Sequence, residues 1–397
     1  MKKISSAIFT IVFLVFINCK SDARKAINSI QTQKFTSFDG LLIDGFLSLK
    51  PNPKKSEVKD YFNSMAKTLN KTKDKLAKLI SEKGGKTTEE NNTDTAKEDN
   101  STLNPVDNEI NKIKDMIDKM IDAANTIVET VAETATETMG EVVEVKSSGN
   151  VATKADVKSV VEIAKGIKKI VGAAGIADKL KAEADKTTKP ISEESNNKEA
   201  GKMFSGKQGD QGGKVIDSDV ISPEIGGGAN PMDINKAAEA VKNVSGEQIL
   251  GAIIAAAKAI ESGGKATTEG KNADEAKNPI EAAIGGNDDS NATAFTGNME
   301  KDTQIAAAIV LRGMAKNGKF AVKMGRGPSA DGNTIRALVK NAANKTVDAL
   351  SQLVLKAINE SLTKIAKTIK AGGEAANEAV NSNFPNVKFA EKHLEDK

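Results

Sequence analysis

Few side chains in this sequence are equipped for chemistry, and they lie far apart. Cysteine and histidine occur once each, as Cys19 and His393. A lone histidine in the tail offers no acid–base pair and no triad. One cysteine supplies neither a zinc set nor an intramolecular disulfide. The segment nearest to a phosphate loop, whose pattern is G-x-x-x-x-G-K-[ST], is GKMFSGKQ at Gly201–Gln208. Gln208 stands where a hydroxyl would hold magnesium, and no strand precedes the segment, so chance accounts for the match. Glu129, Glu133, Glu137 and Glu141 recur every fourth residue and read as the solvated face of a helix. No carboxylate cluster has calcium-loop spacing. These observations argue against an enzyme, and no cofactor or metal is expected.

Cys19 has a second use. Lys2 and Lys3, followed by the apolar run Ala7–Ile17, have the form of an export signal. The run is too short to span a bilayer as a helix. Phe16-Ile17-Asn18-Cys19 resembles the relaxed lipobox of spirochaetal lipoproteins, although a stricter box has leucine in place of Phe16 and a small residue in place of Asn18. The cysteine could remain a free thiol, but one that closes an export signal is more often acylated. Residues 1–18 are therefore read as a signal peptide and 19–34 as a lipidated N-terminus and tether. Each buried methylene contributes roughly 0.8 kcal/mol, so two or three acyl chains anchor firmly where one does not. Outer-membrane lipid is the partner this implies, reached through Cys19 with no transmembrane helix.

Arginine is also scarce. It occurs only as Arg24, Arg312, Arg326 and Arg336, among many lysines. Three of the four lie in or just after one stretch, and the planar guanidinium suits partly buried pairing better than an ammonium does. Random placement is the competing account. Arg312 or Arg336 is expected to be fixed by a carboxylate or by helix-end carbonyls.

The elements that would position these groups read as helices. Aromatics make up 3% of the chain and tryptophan is absent, which disfavours a sheet built on large side chains. Alanine, lysine, glutamate and isoleucine favour helix. The 57 basic and 54 acidic residues come close to balance once Lys2 and Lys3 leave with the signal, so bulk charge does not point to nucleic acid. Apolar residues at helical spacing mark a helix with its stripe from Val58 to Ile80, ended by Gly84-Gly85, and others near 108–145, 154–180, 232–261 and 333–371. The last would be roughly 60 Å long at ~1.5 Å per residue. Its heptad-like spacing leaves a coiled-coil dimer open, although the alanines and intervening loops favour an intrachain bundle. A monomer or weak dimer is expected. The fold class is all-α: an elongated helical bundle with long irregular loops at one end and little or no β-structure. Residues 35–380 are read as one helical domain with polar, exposed loops at 84–107, 185–230 and 263–300, and 381–397 as a C-terminal tail.

One stretch organises this pattern. IAAAIVL, Ile305–Leu311, has no polar face, and a helix apolar all round belongs among other helices. Ile305, Ile309, Val310 and Leu311 are the candidate structural core. Asn317-Gly318 then turns the chain, and Phe320 with Val322 forms a smaller apolar patch. QIAAAIVLRGMAKNGKFAVK, Gln304–Lys323, closely resembles an invariable region of the variable large protein and VlsE family, surface lipoproteins of relapsing-fever and Lyme spirochaetes. FTSFDGLLIDGF from Phe35 and the alanine- and lysine-rich helices extend the resemblance over nearly the whole chain. It implies a lipid-anchored antigen facing outward from the cell outer membrane, in which a constant helical scaffold displays changeable loops to host antibody. A second reading is an adhesin whose lysine-rich loops bind host glycosaminoglycans or extracellular proteins.

Overall fold

The computed structural model describes residues 54–84, 105–132, 136–145, 154–180, 197–204, 228–263, 269–286, 293–323 and 328–383. The signal sequence, Cys19, the tether, residues 35–49, His393 and most of the proposed tail lie outside them. The fold is all-α, with one small sheet. In chain order it comprises α1 (Lys55–Gly84), α2 (Pro105–Ala132), β1 (Glu141–Val145), α3 (Val157–Ala173), a 3-10 turn (Lys198–Met203), α4 (Pro231–Asn243), α5 (Gly246–Gly263), α6 (Pro279–Ile284), a second 3-10 turn (Gly297–Glu300), α7 (Asp302–Met314), β2 (Lys319–Lys323) and α8 (Pro328–Asn383). No helix among the described residues is long and apolar enough to cross a membrane.

The chain divides into two compact units. Among the described residues, the larger takes those within Leu42–Lys75 and Asp115–Ala357, and the smaller those within Leu76–Lys114 and Ile358–Lys397. In the smaller unit Leu76, Ile110, Ile113 and Ile358 are buried. The larger unit is built on α7. Eleven of its thirteen residues are buried, Thr303 and Ile305 through Met314, because its alanines let neighbouring backbones approach while isoleucine, valine and leucine fill the gaps. α3, α4, α5, α6 and both 3-10 turns pack on it. Val339 of α8 crowds Gly313, where an added Cβ would come within 2.3 Å of Val339 Cγ1.

Helix ends are tied by polar side chains that also fix neighbouring elements. Asn230 and Asn278 each accept two backbone N–H bonds at the starts of α4 and α6, and proline follows each of them. Lys345 of α8 donates to the carbonyls of Val241 and Val244, both at 2.8 Å, at the C-terminal end of α4. Burial pushes its pKa down. Tyr61 of α1 donates to the carbonyl of Val347 and hydrogen-bonds Ser351 on α8.

Four expectations are corrected. The helix expected over 108–145 ends at Ala132, and Glu141–Val145 is a strand. It pairs in parallel with β2, from Glu141 opposite Lys319 to Val145 opposite Lys323, as suits its β-branched valines. The four-residue glutamate ladder is therefore not one helix face: Glu137 lies in a turn and Glu141 on the sheet, paired with Lys319. The helix expected over 232–261 breaks at Val244-Ser245, where Ser245 and Gln248 form reciprocal capping bonds. The exposed loops expected over 185–230 and 263–300 contain buried structure. Ala200, Met203 and Phe204 are buried in the first, and all of α6, Phe295 and Met299 in the second. Lastly, α8 starts at Pro328 and runs through Gly372-Gly373 to Asn383. Each glycine costs ~1 kcal/mol against alanine, and the helix-favouring flanks outweigh that cost.

Candidate functional site

The chemistry concentrated in the larger unit is structural, and it centres on Arg312. Directly after the apolar run, this arginine keeps only 1% of its surface exposed. Its Nε donates to the carbonyl of Lys319 at 2.7 Å, and Nη1 donates to the carbonyls of Ala282 and Ala283 at 3.3 and 3.4 Å. Those two carbonyls belong to the last turn of α6, where no later helical N–H is available to them and the helix dipole is negative. Gly285 ends α6 at φ 85°, and an added Cβ there would lie 3.1 Å from Nη1. A bare α-carbon thus gives the guanidinium its room.

Aromatic faces enclose the same group. The guanidinium carbon lies 5.3 Å from the Phe204 ring centre and 5.9 Å from that of Phe320, within cation–π range. Phe204 also packs at 5.2 Å on Phe295 and at 5.6 Å, edge to face, on Phe320. Arg312 therefore joins α7, α6, β2 and the first 3-10 turn. Lys202 binds that turn further by pairing with Asp233 of α4 at 3.3 Å. Burial pulls the Lys202 pKa down, but the Glu199 hydrogen bond and the Asp233 charge outweigh it, so the net shift is upward. Asp302 accepts from Asn197 and Asn243, both at 2.8 Å.

A second buried cation closes the turn just after the C-terminal end of α7. Lys55, at the start of α1, is fully buried. Its Nζ donates to the Glu137 carboxylate and to the carbonyl of Ala315. Glu137 also accepts the backbone N–H of Asn317 at 3.1 Å, and its own carbonyl accepts the backbone N–H of Lys55 at 2.9 Å. Burial drives the Lys55 pKa down, opposed by Glu137. The clamp joins α1, the turn before β1 and the turn after α7.

Ile305, Ile309, Val310 and Leu311 all have zero exposure. Arg336 sits elsewhere, donating to Asn333 on its own helix at 2.6 Å. Phe204, Phe295, Lys55 and Glu137 escaped the sequence reading. For the phenylalanines a signal existed: in a chain so poor in aromatics, a ring inside a polar stretch has a burial to make. Among the described residues, no group of histidine, cysteine, aspartate and glutamate could hold a metal ion.

The crystal structure of the Lyme disease variable surface antigen VlsE of Borrelia burgdorferi is similar to this chain. The TM-score is 0.61 at 37% identity, over 83% of this chain and 99% of that one. Variable large protein 4 of Borrelia hermsii is 28% identical over 96% of this chain and 98% of its own length. Variable large protein 17 of the same organism is 26% identical over 88% and 87%. The Borrelia lipoprotein family matches residues 32–369, and this chain belongs to it. The solved relative is a variable surface antigen, and the family is one of lipoproteins.

Proposed function

We propose that this chain is an outer-surface lipoprotein, anchored through acylated Cys19, that serves as a variable antigen. A buried scaffold holds the attachment points of segments free to change, and replacing the expressed copy defeats antibody already raised. The observation that carries this reading is the placement of the Arg312 core at such attachment points. Segment 205–227 departs from Phe204, which stacks on Arg312. It returns at Ala229, whose backbone N–H donates to Ala321 of β2 at 3.0 Å. Segment 287–292 is bracketed by α6 and Phe295, both parts of the same core. Substitution in buried helices is costly, whereas surface substitution usually changes stability by less than ~0.5 kcal/mol.

The test is display of chimaeras on living cells. Replacing 205–227 with the corresponding segment of a relative should abolish agglutination by antiserum to the original chain. Serum against a Gln304–Lys323 peptide should bind denatured protein far better than intact cells. Strong, equal staining of intact cells by that serum would remove the scaffold role given to this stretch. Cys19→Ser should leave the protein soluble or unprocessed, and palmitate labelling of that variant would sink the anchor.

The adhesin reading has less support. Lysines at 73, 112, 168, 202, 236, 258 and 319 each pair with a carboxylate of the chain, which leaves less unbalanced charge for a polyanion. Binding of washed cells to glycosaminoglycan at graded salt tests it directly.

A further inference from the structure

Asn317-Gly318 is the only Asn-Gly pair in the sequence, and it sits in the turn between α7 and β2. Asparagine before glycine is chemically unstable in an open chain. The backbone nitrogen of Gly318 attacks Cγ of Asn317, a C–N bond forms, and ammonia leaves. Water then opens the cyclic imide at either carbonyl, giving aspartate or isoaspartate. The balance is one water in and one ammonia out, with no oxidant or enzyme. Glycine permits this because no side chain obstructs the approach of its nitrogen.

The fold acts on each requirement. The Asn317 residue is exposed to water, with φ 58°. The attacking nitrogen, by contrast, is engaged: Gly318 N–H donates to the carbonyl of Ala315 at 3.2 Å. The peptide cannot easily rotate to free it. An added Cβ at Gly318 would lie 1.8 Å from the Arg312 carbonyl oxygen, so this backbone is seated directly on α7. The Asn317 N–H is held by Glu137, itself held by buried Lys55. Three contacts thus fix the two residues in one geometry, and attack requires all of them to loosen.

We infer that Asn317 is a site of spontaneous deamidation and isomerisation, gated by opening of the α7–β2 turn, and that its product prevents the turn from closing again. Isoaspartate adds one atom to the backbone between Glu137's hydrogen-bond partner and the glycine seated on α7. Either product also places a negative charge beside the Glu137 carboxylate. The turn becomes a one-way record of how often this end of the core has opened, since modification proceeds at a rate set by the open population when opening is fast.

The experiment follows residue 317 by peptide mapping and isoaspartate labelling during incubation of the full chain at mildly alkaline pH. Samples are kept folded, held in urea well below the unfolding midpoint, or fully unfolded. Conversion should run at least about tenfold faster unfolded than folded and rise smoothly with sub-transition urea. Glu137→Ala should speed conversion in the folded chain, with circular dichroism verifying the fold. If that variant does not fold, the urea series on the unaltered chain decides alone. Folded protein converted at 317 should melt below the unconverted protein. Equal rates folded and unfolded would overturn the gating, and an unchanged melting temperature after conversion would overturn the one-way step.

Discussion

Arg312 and Lys55 are both cations withdrawn from water, and their surroundings differ in kind. The guanidinium donates to three carbonyls and lies over two aromatic rings. The ammonium has a carboxylate, Glu137, and one carbonyl. A planar fork spreads its charge over several acceptors and stacks on rings, so helix-end carbonyls can hold it. A compact ammonium concentrates its charge, needs an opposite one, and loses proton affinity when burial outweighs that partner. The difference teaches that the first site is fixed at all ordinary pH, while the second is sensitive to pH.

The sharpest way to break this comparison is to exchange the cations. Arg312→Lys should cost ~3–5 kcal/mol in urea melts, close to Arg312→Met, because a single ammonium cannot serve β2 and α6 together. A loss under ~1 kcal/mol would mean that any cation suffices there. Ile309→Ala removes packing rather than charge, and a cost of ~2–5 kcal/mol is expected. Comparing it with Arg312→Met separates the polar from the apolar share of the core.

Lys55→Met should cost less, ~1–2 kcal/mol at neutral pH, since Glu137 keeps the Asn317 N–H and some solvent. Its pH dependence has a definite sign. The folded pKa of Lys55 lies below the unfolded 10.5, so the full burial cost acts while both states are protonated. That cost is relieved as pH rises from the folded pKa toward 10.5, where the unfolded chain still holds its proton. The advantage of Lys55 over methionine should therefore grow on moving from neutral pH to pH 10 in paired melts. The smallest effect concerns Asp348, whose pKa burial raises above 3.8. Its contribution is full below 3.8 and is lost as pH rises through the folded pKa. Asp348→Asn should accordingly raise Tm slightly at neutral pH, and the gain should vanish in acid.

Burial of the central helix was legible because IAAAIVL leaves no polar face, and the helical class was legible from composition and period. Several features resisted for physical reasons. β1 looked helical because Val131, Met139 and Val142 fit a helical stripe; only pairing with a distant strand, absent from any local window, makes it extended. α6 and the first 3-10 turn are too short to show a period. Their local signals were present but unused: Asn278-Pro279-Ile280-Glu281 repeats the capping chemistry of Asn230-Pro231-Met232-Asp233, and Ser245 stands three residues before Gln248. Lys55 could not be found from sequence, since its partners lie at 137 and 315 and nothing nearby distinguishes it from other lysines.

The parallel ladder between β1 and β2 has a kinetic consequence. Helices form from neighbours in sequence within about a microsecond, but these two strands are separated by α3 through α7. Closing so long a loop carries an entropic cost that only later contacts offset. Bringing Glu141–Val145 onto Lys319–Lys323 thus gives a helical protein one contact set of high sequence separation, the kind that slows folding. Pairing of the two strands is therefore expected among the later steps of folding, after the intervening helices have formed.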